Sequence, residues 1–262
     1  VDAQIDAIWA YLSVGTKGGF PPGLSPDDDT LLMPLEEPIV FRTFLDKVSA
    51  HAILVGFRQR THMAFDANRV RSALAWTGSF ATTKPVWDGR AGQYVQIPSN
   101  DVVWLPEGPT FAKLESDTSP WPADKPKEKV GSNRTPDGWR FRGYQCDEDR
   151  VPTFLYDAGD MQVAEQPASQ FLKDAAALHR NFEITATKPI EKTFFRAAAG
   201  TKITGSNGEF VVDDKLRFRI ESPSSAKAFI RDVEGGQELL LPIQLAKGSN
   251  GKQEMKFTVE MK

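Results

Sequence analysis

The chain has 262 residues, of which 40% are hydrophobic and 26% are charged, with a formal net charge of -3. This composition supports a buried core and excludes an intrinsically disordered chain. The small negative charge gives no electrostatic case for a nucleic-acid partner, and no apolar run approaches the roughly 18 residues of a membrane span. We therefore expect no nucleic-acid partner and no membrane span.

The residues that usually carry chemistry are few. Cys146 is the one cysteine, and the three histidines, His51, His62 and His179, lack metal-ligand spacing. No nucleotide-binding, phosphate-loop or hydrolase motif occurs. The sequence therefore predicts no metal site, no cofactor within this chain and no catalytic residue, and it leaves open whether the protein is an enzyme.

Residues 2–13 favour one amphipathic helix, with Asp2 as a good N-cap. Apolar side chains recur at helical spacing and form a predicted docking face: Ile5, Ile8, Trp9 and Leu12. A Pro/Gly-rich stretch follows. We divide the chain into residues 1–15 (terminal helix), 16–38 (linker) and 39–262 (β domain).

From Ile39 onward the pattern favours strands. Residues 51–80 are typical of a hairpin with an Asp66-Ala67-Asn68 turn. Alternation in the second strand predicts one face with Val70, Ser72, Leu74 and Trp76, and an opposite face with Arg69, Arg71, Ala73 and Ala75. Residues 82–139 look irregular. A three-strand meander is expected over 140–146, 151–156 and 161–166, and about fifteen strands in all. The predicted fold is mostly β: a large antiparallel β-sandwich with one short N-terminal helix.

Several tryptophans lie beside arginines, a combination that can hold a sugar or an anionic group. The alternative is that these tryptophans pack in the core and the arginines pair with acids. Convergence of Trp76, Trp87 and Trp139 on one open face would favour sugar binding, and dispersal would favour a scaffold. The candidate ligand-binding residues are Trp87, Asp88, Arg90, Arg69, Arg71, Arg140 and Arg142.

Five strings of the sequence resemble a known type of protein. DAQIDAIWAYL at 2–12 resembles the last helix of a class I cytochrome c domain. EPIVFRTFL at 37–45, the block at 51–80, RFRGYQCDEDRVPTFLY at 140–156 and FFRAAAG at 194–200 resemble the C-terminal region of large periplasmic proteins of planctomycete-type bacteria. In those proteins a haem-binding cytochrome segment precedes a β-rich module of unassigned activity.

The resemblance implies a periplasmic or secreted protein, with haem c on an upstream segment or on a partner chain. The haem-attachment cysteines and histidine are missing, so the chain would begin at the cytochrome's final helix. The expected partner is a cytochrome c segment or a redox-complex subunit. We therefore expect a non-catalytic binding or scaffold module. The alternatives are a carbohydrate-binding or carbohydrate-active domain, and a segment of an electron-transfer complex.

Overall fold

The computed structural model describes residues 30–89, 93–116, 118–125, 134–171, 176–248 and 251–262. These ranges are mostly β, with several antiparallel sheets, which confirms the predicted class. The predicted helix with Ile5, Ile8, Trp9 and Leu12 lies outside the described residues, as do Arg90 and most of the linker. Within the described ranges the one α-helix is α1 (Lys84–Asp88), in a segment expected to be irregular.

No helix in the described ranges is long and apolar enough to cross a membrane.

The largest sheet has nine strands, and the expected meander forms one end of it. Its strands alternate between buried and more exposed residues, as in β10, because one face is covered. The order is β14-β15-β16-β20-β12-β11-β10-β9, with β19 pairing β20. The strands are β9 (Trp139–Cys146), β10 (Pro152–Ala158), β11 (Met161–Phe171), β12 (Ala176–Ala186), β14 (Ile203–Ser206), β15 (Glu209–Val212), β16 (Leu216–Glu221), β19 (Ala246–Lys247) and β20 (Gln253–Met261).

Three smaller sheets complete the architecture. The five-stranded sheet runs in the order β2 (Ile39–Leu45), β3 (Ser49–Gly56), β4 (Thr61–Asp66), β5 (Arg71–Thr77) and β7 (Val102–Trp104). The four-stranded sheet runs in the order β17 (Phe229–Val233), β18 (Gly236–Pro242), β13 (Thr193–Gly200) and β8 (Phe111–Lys113). A two-stranded sheet pairs β1 (Leu31–Leu32) with β6 (Ala81–Thr82).

One face of the nine-stranded sheet packs against both the five-stranded and the four-stranded sheet, in a sandwich-like arrangement. Phe65 of β4 stacks on Phe154 of β10 with 4.3 Å between ring centroids. Phe195 of β13 lies 5.0 Å from Phe182 of β12. A second cluster, which includes Trp76, covers the other face of the five-stranded sheet.

A β-bulge in β5 corrects one expectation about the hairpin. The pairing with β4 shifts between Ala64 and Phe65, so that Phe65 lies opposite Ser72 while Ala64 lies opposite Leu74. Because the bulge adds one unpaired residue, side chains that alternation would place on one face lie on opposite faces before and after it. Ser72 therefore points at the nine-stranded sheet, whereas Leu74 and Trp76 pack on the opposite face. The prediction that these three residues share one face is wrong.

Candidate functional site

Arg69 and Arg71 were expected on a contact surface, but the structure buries both of them. Their exposed fractions are 7% and 6%. The turn between β4 and β5 is longer than predicted: Asp66 Oδ1 accepts the backbone N–H groups of Asn68 and Arg69, at 2.9 and 3.2 Å. Val70 follows with a φ of 58°, a left-handed conformation that is rare for a β-branched residue. Such a strained backbone conformation persists only where the surrounding contacts constrain it.

The carboxylates of Asp66 and Asp124 neutralise these arginines. Asp66 Oδ2 accepts from Arg69 Nη1 at 2.6 Å. Asp124 Oδ2 lies 3.2 Å from Arg69 Nε and 3.5 Å from Arg71 Nη2. Arg71 also donates to the carbonyl of Pro106 at 3.0 Å. Burial lowers the pKa of Arg71, and Asp124 opposes that shift, so the guanidinium stays paired.

A matching ion-pair set holds the four-stranded sheet. Glu238 of β18 accepts from Arg196 Nη1 at 2.6 Å and from Arg231 Nε at 2.9 Å. The Arg196 guanidinium lies over the Trp121 ring, 4.7 Å from its centroid. Burial lowers the pKa of Arg196, and Glu238 opposes that shift.

Together these groups form what we call the arginine cluster. Arg71 is close enough to contribute electrostatically to Arg196, so the two ion-pair sets adjoin. The cluster fastens the segment containing Trp121 and Asp124 to the five-stranded and four-stranded sheets. Charged groups buried in this way are costly unless paired, which explains why each arginine has a carboxylate partner. Its members are Arg69, Arg71, Arg196, Arg231, Asp66, Asp124 and Glu238.

A second buried network lies between the nine-stranded and five-stranded sheets, and no motif in the sequence predicted it. Glu165 is fully buried on β11 and accepts from Ser72 Oγ at 2.6 Å and from Arg180 Nε at 2.8 Å. Tyr156 donates to its other oxygen at 3.1 Å. Burial and the neighbouring Glu165 charge raise the pKa of Tyr156 well above its ordinary value. The network therefore keeps the phenol protonated, and its hydrogen bonds join the two sheets.

An open cleft of about 780 Å³, which we call the edge cleft, combines polar and aromatic groups. It lies between the edge strand β9 of the nine-stranded sheet and strands β2 and β3 of the five-stranded sheet. The Arg42 guanidinium spans the two edges, 5.0 Å from the ring centroid of Tyr144. The cleft is lined by Arg42, Thr43, Ala50, His51, Ala52, Ile53, Ala67, Asn68, Lys125, Thr135, Pro136, Asp137, Gly138, Trp139, Arg140 and Phe141.

The structure separates the two arginines of β9. Arg140 lines the edge cleft. Arg142 does not, and it donates to Asp157 at 3.2 Å. An exposed surface pair of this kind contributes little stability, typically under about 1 kcal/mol.

The three tryptophans are dispersed. Trp76 is 2% exposed in the core on the outer face of the five-stranded sheet. Trp139 is partly buried and stacks on Tyr156, 6.0 Å away, in the main core. Trp87 is 78% exposed on α1, with Asp88 beside it. They do not share one concave face.

The Trp87 surface, formed by the exposed side chains of Val86 and Trp87, lies beside the first described residue. Thr83, the residue before α1, donates to the Thr30 carbonyl through its backbone N–H at 2.8 Å and through its hydroxyl at 3.1 Å. The Trp87 amide in turn bonds to the Thr83 carbonyl at 3.2 Å. Thr30 is therefore held about one helical turn from Trp87.

Among the described residues, no group of three or more His, Cys, Asp or Glu side chains is arranged to hold a metal ion. No family model matches this chain, and neither curated proteins nor solved structures provide a match. The arginine cluster, the edge cleft and the Trp87 surface are therefore interpreted from their own geometry.

Proposed function

We propose that this chain is a non-catalytic binding or scaffold module, a large β-sandwich that works beside a c-type cytochrome or within a redox complex in the periplasm or outside the cell. The cytochrome partner is inferred from the sequence resemblance, and haem c would be bound to an upstream segment or to a partner chain. The exposed Trp87 beside Thr30 carries the proposal. Aromatic residues are enriched at protein interfaces, and Trp87 is 78% exposed next to the exposed side chain of Val86.

The burial of the candidate arginines Arg69 and Arg71 also supports a scaffold module. Arg69 and Arg71, which a ligand site would need at the surface, instead hold sheets and loop together through Asp66 and Asp124. The dispersal of Trp76, Trp87 and Trp139 also favours a scaffold over a sugar-binding platform. The interior is thus built for rigidity, and the Trp87 surface is left for a partner.

The proposal is tested by capture of a haem-bearing partner. Tagged wild-type protein is incubated with periplasmic extract of the source organism, and retained chains are stained for covalently bound haem. We expect a haem-positive chain that Trp87→Ser retains at a tenth of the wild-type amount or less. The matched control is Trp104→Ser, because Trp104 is also exposed, at 53%, but lies on the edge strand β7.

Deletion of residues 1–15 should weaken capture as well, because Ile5, Ile8, Trp9 and Leu12 form the predicted docking face of this segment. If no haem-positive chain is retained, the proposal of a cytochrome partner is contradicted. Equal retention by the Trp87 and Trp104 variants, or full retention after the deletion, would contradict the docking surface.

The edge cleft favours a second candidate function, carbohydrate binding. It is open, about 780 Å³ in volume, and lined by hydroxyl, amide and guanidinium groups together with aromatic residues. Sugar sites combine such planar donors with apolar surface. Calorimetric titration with oligosaccharides at millimolar concentration tests it, and no heat from any sugar would refute it.

A further inference from the structure

Two guanidinium groups at the edge cleft have no carboxylate within ion-pair distance among the described residues. Arg42 and Arg140 are both exposed, and no carboxylate of the described ranges pairs with either. Arg142 is paired with Asp157 at 3.2 Å and Arg150 with Glu37 at 2.8 Å. The exposed Arg58, Arg60 and Arg217 form no ion pair among the described residues, as is true of Arg42 and Arg140, but only Arg42 and Arg140 line the edge cleft. The cleft therefore concentrates cationic groups that the fold leaves unneutralised.

The remaining charge at the cleft does not cancel this excess. Lys125 donates to Asp137 at 2.7 Å, so the one carboxylate of the lining is matched by its own cation. His51 adds an exposed imidazole to the same lining. In the described lining, Arg42, Arg140 and Lys125 thus outnumber the one carboxylate, Asp137, and this excess of positive charge favours an anionic ligand.

One wall of the cleft is held firmly. Asn68 Oδ1 accepts the Arg134 backbone N–H at 2.9 Å, and the Asn68 carbonyl accepts from Thr135 Oγ1 at 2.7 Å. These bonds tie the chain before β9 to the β4–β5 turn. Thr43 of β2 brings a further hydroxyl to the lining, and Trp139 and Phe141 bring aromatic surface. A rigid wall with donors at fixed positions reduces the entropy cost of binding.

We infer that the edge cleft is the binding site of an acidic saccharide, whose carboxylate is held by Arg140 and Arg42. The guanidinium fork matches a carboxylate in a bidentate geometry, while hydroxyl groups and an aromatic edge suit the sugar ring. A volume of about 780 Å³ accommodates more than one ring. This inference rests on the second candidate function and names its ligand class.

The test is calorimetric titration of the whole chain with tetragalacturonate and with its methyl ester. The ester keeps the sugar rings and removes the charge. We expect tetragalacturonate to bind roughly tenfold or more tightly than the ester, because a charged hydrogen bond is worth about 1.5–3 kcal/mol. Its affinity should fall as salt is raised, because the site is open to solvent.

Arginine variants locate the site. Arg140→Gln should weaken tetragalacturonate binding roughly tenfold or more. Arg142→Gln is the matched control, on the same strand and two residues away, and should bind as the wild type does. Arg42→Gln should also weaken binding, and a thermal melt shows whether loss of its contact with Tyr144 has unfolded the domain.

Each other outcome has a distinct meaning. Equal binding of the acid and its ester would overturn the inference while carbohydrate binding stands. Equal weakening by Arg140→Gln and Arg142→Gln would place the site elsewhere. If neither saccharide binds, the inference fails, and the second candidate function fails with it only when the other oligosaccharides titrated give no heat either.

Discussion

His62 allows a quantitative prediction of how stability depends on pH, because both of its ring nitrogens have hydrogen-bond partners. It lies buried on β4, with its ring 5.4 Å from that of Trp76 and 5.2 Å from that of Phe80. Nδ1 accepts the Phe57 backbone N–H at 3.1 Å, and Nε2 lies 3.0 Å from the carbonyl of Gly78. Only the neutral ring with its proton on Nε2 satisfies both partners. Protonation would place an N–H against the Phe57 N–H.

The pKa of His62 follows from this environment. Burial lowers it from 6.5 to about 4; the hydrogen bond to Gly78 opposes the shift, and the charge of Arg60 adds to it. The unfolded chain therefore binds more protons than the native state between pH 6.5 and about 4. Stability from this group is fully present above the unfolded value and falls as pH decreases through that window. The difference amounts to about 3 kcal/mol.

Denaturant unfolding of the wild type and of His62→Asn, from about pH 7.5 to pH 4, measures this contribution. Asn can still accept the Phe57 N–H but does not titrate, so the difference between the two curves isolates His62 from the carboxylates and the other histidines. We expect the wild type to lose about 3 kcal/mol relative to the variant as pH falls. Parallel stability curves, or an NMR titration of His62 near its ordinary pKa, would refute the reasoning.

Three further substitutions test the packing. Glu165→Gln should destabilise by about 3–5 kcal/mol in denaturant unfolding, because the buried Arg180 loses its counter-charge; an unchanged midpoint would show that Arg180 finds another partner. Gly108→Ala should unfold at a clearly lower temperature, because φ is 89° and the new Cβ would lie 2.4 Å from the Pro122 carbonyl. Gly235→Ala is its control, since that glycine also has a positive φ but nothing within 4 Å, and equal losses would count against the clash. Trp87→Ser should change stability by less than about 0.5 kcal/mol, because its side chain is exposed, and a larger loss would mean that Trp87 supports the fold.

Local patterns in the sequence were enough to predict the β class and the meander. Alternation along β10, with Phe154 and Tyr156 on the covered face, is a property of neighbouring residues. The acidic turn before Val151 is local as well: Asp147 Oδ1 accepts the Val151 backbone N–H at 2.8 Å. Such features need no distant partner, so they can be predicted without one.

The helix α1 and the bulge in β5 escaped prediction for a related reason. A five-residue helix has too few positions to show a periodicity. The bulge at Ala73 leaves the apolar pattern looking regular, yet it turns Ser72 toward the nine-stranded sheet. Register of this kind is decided by pairing with another strand.

The candidate sites depend most strongly on tertiary structure. Arg69 and Arg71 look like surface groups in the sequence, and they are buried because Asp124 reaches them from a loop more than fifty residues away. Arg140 and Arg142 are equivalent by spacing, and only the approach of β2 and β3 to the edge of β9 makes one of them part of a cleft. The sequence by itself determined the β class and the strands of the meander, since alternation and turn residues act locally. The tertiary structure alone decided which charges are buried, paired or left facing solvent, since that depends on the meeting of sheet edges far apart in the chain.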